Sequence, residues 1–181
     1  MANYEQQFGT LQPSFRVGGP DGIAIHEAGT VAPLSPNEGD LWFDEDLDMW
    51  LFYDVVRTKW LSVEIVPVQF SDLFGNAAGS YYQWGGGVRM SAARGLTAPY
   101  DGTVVGIDYT RDDTDAATFE VVKDGAVFSP AAELASSATS GSTMALNGNF
   151  DAGEVIAIRN KSGGNTVSNG SGTFYVRWRN S

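Results

Sequence analysis

Hydrophobic side chains recur at every second position over most of the chain, and glycine-rich or acidic segments interrupt them. This alternation predicts short β-strands joined by turns. The clearest runs lie at residues 39–44, 49–53 and 59–63, separated by the polar segments 45–48 and 54–58. Because aromatic and β-branched residues fill the three runs, we expect a meander of three antiparallel strands.

Large aromatic side chains dominate this predicted meander. Trp42, Trp50 and Trp60 are three of the five tryptophans in the chain, and Phe52 and Tyr53 accompany them. Rings on neighbouring strands can pack across a sheet, and each ring buries a large apolar area. We expect these five side chains to hold the small sheet together or to pack against another subunit.

The segments before the meander predict a hairpin and a linker. Residues 14–17 and 23–26 alternate on either side of a Gly-Gly-Pro-Asp-Gly turn, a pattern typical of a hairpin. Residues 29–39 contain two prolines between flanking glycines, which predicts an extended linker. Residues 1–13 show no clear period and are expected to form a weakly ordered arm.

Alternating runs continue through the carboxy-terminal part of the chain. The clearest are residues 103–110, 117–122, 126–128, 155–160 and 173–178. Six to eight short strands at this spacing predict a β-sandwich of jelly-roll type. The chain is therefore expected to be all-β, with a small hairpin and meander region followed by a sandwich.

Two segments of the carboxy-terminal part depart from the strand pattern. Residues 131–135 are compatible with one helical turn, which is too short to be stable alone. Residues 136–142 consist of Ser, Ala, Thr and Gly and are predicted to be a mobile surface loop. No internal repeat of fixed period is expected.

The charge distribution suggests where the two parts meet. Residues 1–75 hold twelve acidic and three basic residues, a net charge of −9, whereas residues 76–181 carry −2. The glycine-rich segment 71–79 is predicted to be the hinge, so we expect an attachment region over residues 1–75 and a sandwich domain over 76–181. The total charge of −11 argues against nucleic acid as a partner. No apolar run is long enough for a membrane-spanning helix, so no membrane partner is expected.

Catalytic chemistry finds little support in the residue pattern. His26 is the only histidine, cysteine is absent and no Gly-x-Ser-x-Gly elbow occurs, so a nucleophilic triad is not expected. Paired carboxylates for glycoside hydrolysis are assembled in space, and sequence alone leaves that possibility open. We expect a protein without enzymatic activity and without a cofactor.

Two acidic clusters resemble fragments of calcium loops. Asp44, Asp46 and Asp48 alternate, but Met49 and Val55 stand where an EF-hand loop requires Gly and Glu. A solvated turn is the favoured interpretation. A second cluster, which could hold calcium at a loop tip but is more simply an acidic turn, comprises Asp112, Asp113 and Asp115. No metal site is predicted.

Four further aromatic residues are candidates for sugar binding. Tyr81, Tyr82, Trp84 and Tyr100 could stack on the rings of a bacterial glycan. The favoured interpretation places them in the core or at a subunit interface, because the same residue types concentrate there.

The meander also carries a resemblance to a known class of proteins. The run Gly39-Asp40-Leu41-Trp42-Phe43-Asp44, the aromatic strand that follows and the pair Trp60-Leu61 resemble a short module of tail fibres and other appendage proteins of tailed bacteriophages. The resemblance covers residues 39–63. In a general way, the carboxy-terminal part is similar to the small β-sandwich heads of viral fibres.

The resemblance implies a structural protein on the tail or capsid surface of a virion. It points to a short tail fibre, head fibre, spike or decoration subunit that forms a homotrimer. Its amino-terminal part would dock onto other virion proteins of the capsid or tail, and its sandwich would project outward. The alternative is the receptor-binding head of a tail fibre, which would hold a host surface glycan. A polysaccharide-degrading tailspike is a weaker third possibility.

Overall fold

A computed structural model gives the fold of the chain. The residues that it describes are 14–17, 22–72, 75–85, 87–161 and 164–180. Strands and irregular segments make up these described parts, and no helix occurs in them. The prediction of an all-β chain, with a small amino-terminal sheet followed by a sandwich-like body, is confirmed. The expected arm at residues 1–13 lies outside the described residues.

The chain divides into two compact units, and each is considered by itself. The first consists of Met1–Val63 together with Arg179–Ser181, and the second of Glu64–Trp178. This division falls before the glycine-rich segment that suggested a boundary after residue 75. The reason is strand pairing, because the segment Val66–Ser71 forms a long ladder with the last strand of the second unit.

A five-stranded sheet forms the first unit. Its strands, neighbours in chain order, are β1 (Ser14–Val17), β2 (Ile23–His26), β3 (Leu41–Asp44), β4 (Met49–Asp54) and β5 (Lys59–Ser62). The predicted hairpin of β1 and β2 and the predicted meander of β3, β4 and β5 are both antiparallel, as expected. The turn between β1 and β2 falls largely outside the described residues. Strands β2 and β3 pair in parallel, which makes the sheet mixed.

Eleven strands are described in the second unit, where the sequence suggested six to eight. They are β6 (Val66–Ser71), β7 (Gln83–Trp84), β8 (Val88–Arg89), β9 (Leu96–Thr97), β10 (Gly102–Thr110), β11 (Ala117–Lys123), β12 (Ala126–Ser136), β13 (Ser140–Thr143), β14 (Gly148–Phe150), β15 (Val155–Asn160) and β16 (Ser171–Trp178). One sheet has the order β13-β10-β16-β6-β7-β8, with β14 also paired to β10, and the other has the order β12-β11-β15-β9.

The core of the second unit is an extensive apolar cluster. Phe119 is fully buried at its centre, with its ring stacked on Tyr109 at a centroid distance of 4.2 Å and on Tyr82 at 5.6 Å. Buried side chains of β10, β11, β15 and β16 surround these rings. The alternation along the strands therefore places one face of each sheet in a common interior.

Two small-residue segments take strand conformation. Residues 131–135, which were compatible with an isolated helical turn, belong to strand β12, which pairs with β11 as far as Ser136 opposite Ala117. The predicted mobile loop at residues 136–142 contains the start of β13, which pairs with β10. In both cases a neighbouring strand supplies backbone hydrogen bonds, and this tertiary context outweighs the weak strand propensity of Ala, Ser and Gly.

Candidate functional site

The predicted tryptophan cluster divides between the two faces of the small sheet. Trp42 is fully buried, Trp60 is nearly so, and their rings meet edge to face at 5.7 Å. Tyr53 lies directly opposite Trp60 on the neighbouring strand, with ring centroids 5.4 Å apart. Together with the buried Leu51, these rings form the core of the first unit.

Trp50 points to the opposite face. Its ring packs edge to face on Phe43 at 5.5 Å, and the residue stays 46% exposed. Phe52 lies opposite Leu41 on one side and Leu61 on the other, and is half-buried. Successive side chains of a strand point to opposite faces of the sheet, and Trp50 points to the face opposite that of Trp42 and Trp60. The three tryptophans therefore do not pack on one another as a single set.

A buried carboxylate ties the linker to the sheet. Asp40 is 1% exposed; one of its oxygens accepts a hydrogen bond from the Ala24 N–H, and the other accepts one from the Asn37 N–H, both at 2.8 Å. His26 Nε2 lies 3.4 Å from the same carboxylate. Burial alone would raise the pKa of Asp40, but these hydrogen bonds and His26 together hold the pKa below its ordinary value of 3.8. The only histidine therefore contributes to a structural contact.

The two turns of the meander share one internal hydrogen bond, from the backbone N–H three residues after an aspartate to that aspartate. Asp44 Oδ1 accepts hydrogen bonds from the backbone N–H groups of Asp46 and Leu47, at 2.9 and 3.1 Å. Ten residues later, Asp54 Oδ1 accepts one from the Arg57 N–H at 2.9 Å. Carboxylates commonly stabilise turns in this way, so Asp44 has a structural role in its turn.

The matching turns reveal a ten-residue repeat that contradicts the expectation of no repeat. Asp48 and Thr58, at equivalent positions, both adopt positive φ, at 51° and 53°. When residues 41–50 are aligned with 51–60, identical residues occupy three positions: Leu41 and Leu51, Asp44 and Asp54, and Trp50 and Trp60. An alignment of residues 41–50 with 51–60 would have found it from sequence alone.

The surfaces of these two turns differ although their backbones agree. In the first, residues 44–48, Glu45 and Asp46 are exposed; we call it the acidic turn. In the second, residues 54–58, the equivalent positions hold Val55 and Val56, which are 50% and 85% exposed; we call it the valine turn. The second turn therefore presents two aliphatic side chains to solvent where the first presents two carboxylates.

Basic side chains gather beside the valine turn. Arg57 pairs with the buried Asp54 inside it. Lys59 follows it, and Arg179 lies close in space. Burial lowers the pKa of Lys59, and the nearby positive charges of Arg179 and Arg57 lower it further. Acids share this end of the small sheet with the bases, since Asp54 pairs with Arg57 and Glu38 Oε2 accepts a hydrogen bond from the Val55 N–H at 2.6 Å.

Two of the four candidate sugar-binding residues, Tyr81 and Tyr82, pack in or against the core of the sandwich. Tyr82 is fully buried, and its ring packs on Phe70 and Phe119. Burial raises the pKa of its hydroxyl strongly. Tyr81 is half-buried against the same core, and its backbone forms an isolated antiparallel β-bridge with Arg159 of β15. Tyr82 is thus a core residue, as the favoured interpretation held.

Trp84 and Tyr100 are exposed but lie far from each other. Trp84 pairs with Phe70, which in turn lies opposite Gly172 near the start of β16. Tyr100 packs on Trp178 at the other end of that strand, with ring centroids 5.9 Å apart. Six residues of strand separate these points, which corresponds to about 20 Å. The four candidates therefore do not form one site.

A shallow polar trough lies across β6 and β16. It has a volume of about 340 Å³, and its side-chain lining includes Gln69, Ser71, Ser171 and Thr173. Register places Ser71 opposite Ser171 and Gln69 opposite Thr173, so these four side chains share one face of the sheet. Hydroxyl and amide groups arranged in this way can donate and accept hydrogen bonds.

A buried acid on the other sheet is part of an ion-pair network. Glu120 is 1% exposed and pairs with Arg159 at 2.7 Å, while Lys161 Nζ lies 3.9 Å from its second oxygen. Lys161 also pairs with Glu133 at 2.6 Å. Opposite charges balance both carboxylates, so the arrangement serves as a structural network.

The second acidic cluster also serves the fold. Asp113 accepts a hydrogen bond from the Ser168 N–H, and Asp112 accepts one from the Asn169 side chain at 2.6 Å. No group of three or more potential metal-ligating acids, histidines or cysteines occurs within the described ranges. The same described ranges contain no helix long and apolar enough to span a membrane.

Comparison of the chain with known protein families, curated proteins and solved structures finds no match.

Proposed function

We propose that the chain is a structural subunit of a tailed-bacteriophage particle, a short fibre, spike or decoration subunit located on the tail or capsid surface. Its amino-terminal unit docks on the particle, and its sandwich projects outward. The subunit works as a homotrimer and has no enzymatic role.

The observation that carries this proposal is the apolar surface of the amino-terminal unit. Three buried apolar side chains form its core, those of Trp42, Leu51 and Trp60, whereas Trp50, Val55, Val56 and Val63 stay 46–85% exposed. A sheet this small buries little surface of its own and gains stability when its exposed apolar side chains contact other subunits. The repeated tryptophan module lies in this same unit.

Two measurements test the proposal. Light scattering coupled to size-exclusion chromatography should give three times the chain mass of 19.4 kDa. An antibody against the chain should label a defined component of purified phage particles in electron micrographs. A monomer at all concentrations contradicts the trimer, and unlabelled particles that lack the chain by mass spectrometry contradict the structural role.

A host-glycan receptor head is a second candidate, and the polar trough favours it. Gln69, Ser71, Ser171 and Thr173 provide the donors and acceptors that recognise sugar hydroxyls. A glycan array probed with the full chain should then give hits that weaken in Thr173→Val, which removes one hydroxyl and keeps the shape. A blank array contradicts this candidate and leaves the structural role unaffected.

A further inference from the structure

The second oxygens of the two turn aspartates are satisfied in different ways. Asp54 Oδ2 accepts a hydrogen bond from the Arg57 guanidinium within its own turn. At the position equivalent to Arg57, the acidic turn holds Leu47, whose side chain has no donor. Asp44 Oδ2 instead accepts a hydrogen bond of 2.7 Å from the side-chain amide of Asn180, 136 residues further along the chain. The first turn therefore takes from a distant segment the donor that the second turn carries itself.

The hydrogen bond from Asn180 matters because Asp44 is fully buried. The other oxygen of the same carboxylate holds the turn through the N–H groups of Asp46 and Leu47. A buried carboxylate oxygen that loses its donor is left with the full cost of desolvation, which is larger for a charged group than for a neutral one. With the Asn180 amide removed, the carboxylate is expected to turn toward water, and the two N–H groups of the turn then lose their acceptor.

Backbone pairing holds the segment that carries Asn180. Strand β5 lies at the edge of the small sheet, and its Leu61 forms an isolated antiparallel bridge with Arg179. Arg179 and Asn180 belong to the first unit although they follow β16, the last strand of the second unit, in the chain. The first unit is therefore assembled from two segments that the whole second unit separates along the chain.

We propose that Arg179 and Asn180 form a clip that closes the acidic turn, and that the amino-terminal unit reaches its docking conformation only after the chain has passed through the second unit. A chain whose second unit is unfinished has no clip, so its acidic turn opens and it does not dock. The clip thereby restricts attachment to chains that carry a sandwich. The clip itself stands without the proposed function, whereas its consequence for attachment rests on that function.

Asn180→Ala tests the clip in the full chain, because it removes the donor and keeps the backbone. The amides of Asp46 and Leu47 should exchange with solvent about tenfold faster or more, measured by NMR, since loss of a hydrogen bond to a buried charge favours local opening. Asn169→Ala is the matched control, because the Asn169 side chain donates a similar bond of 2.6 Å to Asp112 in the second unit. The control should leave exchange at both turn amides unchanged.

The repeat provides a rescue that distinguishes a missing donor from a general loss of packing. Leu47→Arg gives the acidic turn the residue that the valine turn holds at the equivalent position. In this background, Asn180→Ala should quicken exchange at the Asp46 amide by about threefold at most, because the guanidinium replaces the lost donor. Each double variant is compared with Leu47→Arg alone, so the lost contact of Leu47 with the core cancels. If circular dichroism shows that Leu47→Arg is not folded, Leu47→Gln takes its place.

Attachment is measured separately from exchange. Particles assembled with Asn180→Ala should contain several-fold less of the chain, by mass spectrometry, than particles assembled with the wild type or with Asn169→Ala. Unchanged exchange in Asn180→Ala, or equal acceleration in both backgrounds, overturns the clip and leaves the proposed function standing. Faster exchange with normal incorporation overturns the dependence of docking on the clip. Absence of the wild-type chain from particles overturns the proposed function, and the exchange measurements then still decide whether the clip exists.

Discussion

The two units of this chain are stabilised by different means. Twenty-two buried apolar residues form the core of the second unit within the described residues, and three form that of the first. The small sheet buries three aspartates beside its three apolar side chains, Asp40, Asp44 and Asp54, whose oxygens accept hydrogen bonds from backbone N–H groups. The second unit buries two acids, Asp72 and Glu120, beside a far larger apolar core. A large core fixes its strands by packing, whereas a small sheet depends on specific polar contacts and on partners.

The largest expected effect concerns the apolar core of the second unit. Phe119→Ala removes a fully buried ring that touches Tyr109, Tyr82 and Phe70. It should lower the free energy of unfolding by about 3–5 kcal/mol, measured by urea denaturation. Trp84→Ala, at a 38% exposed position in the same unit, is the control and should cost clearly less. Equal losses would contradict a core centred on Phe119.

The polar contacts of the first unit should come next. Asp40→Ala leaves the buried N–H of Ala24 and the N–H of Asn37 without their acceptor, at a cost of about 2–3 kcal/mol. Hydrogen exchange should show faster exchange at these two amides. The exposed Glu27 gives a matched control, since Glu27→Ala should have little effect. Unchanged exchange in Asp40→Ala would mean that the carboxylate does not hold the linker.

Acid and base should destabilise different units. The pKa of Asp40 lies below 3.8 in the folded chain, so its stabilisation is complete above that pH and is lost as the pH falls through the folded value. The pKa of Tyr82 is raised above 10.0, so its stabilisation is complete below that pH and is lost as the pH rises toward the folded value.

Peptide-resolved hydrogen exchange across the pH range measures this contrast. Exchange should quicken first in residues 22–63 at low pH and in residues 64–178 at high pH. Tyr82→Phe should weaken the loss at high pH and leave the behaviour at low pH unchanged. Simultaneous opening of both units at either extreme would contradict separate stabilisation.

The smallest effect compares the two turns of the first unit. Thr58 is β-branched and adopts φ 53°, whereas Asp48 adopts φ 51° with a side chain that tolerates this conformation. Thr58→Asn should therefore stabilise the chain by about 0.5–1 kcal/mol, and Asp48→Asn should be nearly neutral. Thermal unfolding monitored by tryptophan fluorescence would measure both. Equal shifts would mean that the two turns are not strained differently.

Much of the fold could be predicted because strand alternation is a local property. The strands of the meander and the long strands β10, β11, β15 and β16 fall where period-two patterns predict them. Strand β13 and the end of β12 could not be predicted, because Ala, Ser and Gly take strand conformation there through pairing with β10 and β11. The parallel pairing of β2 with β3 is likewise non-local.

The candidate residues show the same limit. Trp42 and Trp50 are equally aromatic in sequence, yet one is buried and the other is 46% exposed, because strand parity and the rest of the fold decide which face is covered. Tyr82 and Trp84 differ in the same way, since Tyr82 is fully buried and Trp84 is 38% exposed. The contrast between the acidic turn and the valine turn is present in the ten-residue repeat, but its meaning depends on knowing that the backbones coincide.

The sequence by itself determined that this chain is built of strands, where most of them run, and that its tryptophans concentrate in one small sheet. Those properties follow from side-chain periodicity and turn chemistry within a few residues. Only the tertiary structure decided which carboxylates are buried as backbone acceptors, which aromatic rings are committed to a core, and which turn presents apolar side chains to solvent. Burial depends on contacts between residues that are distant along the chain, and no local pattern encodes it.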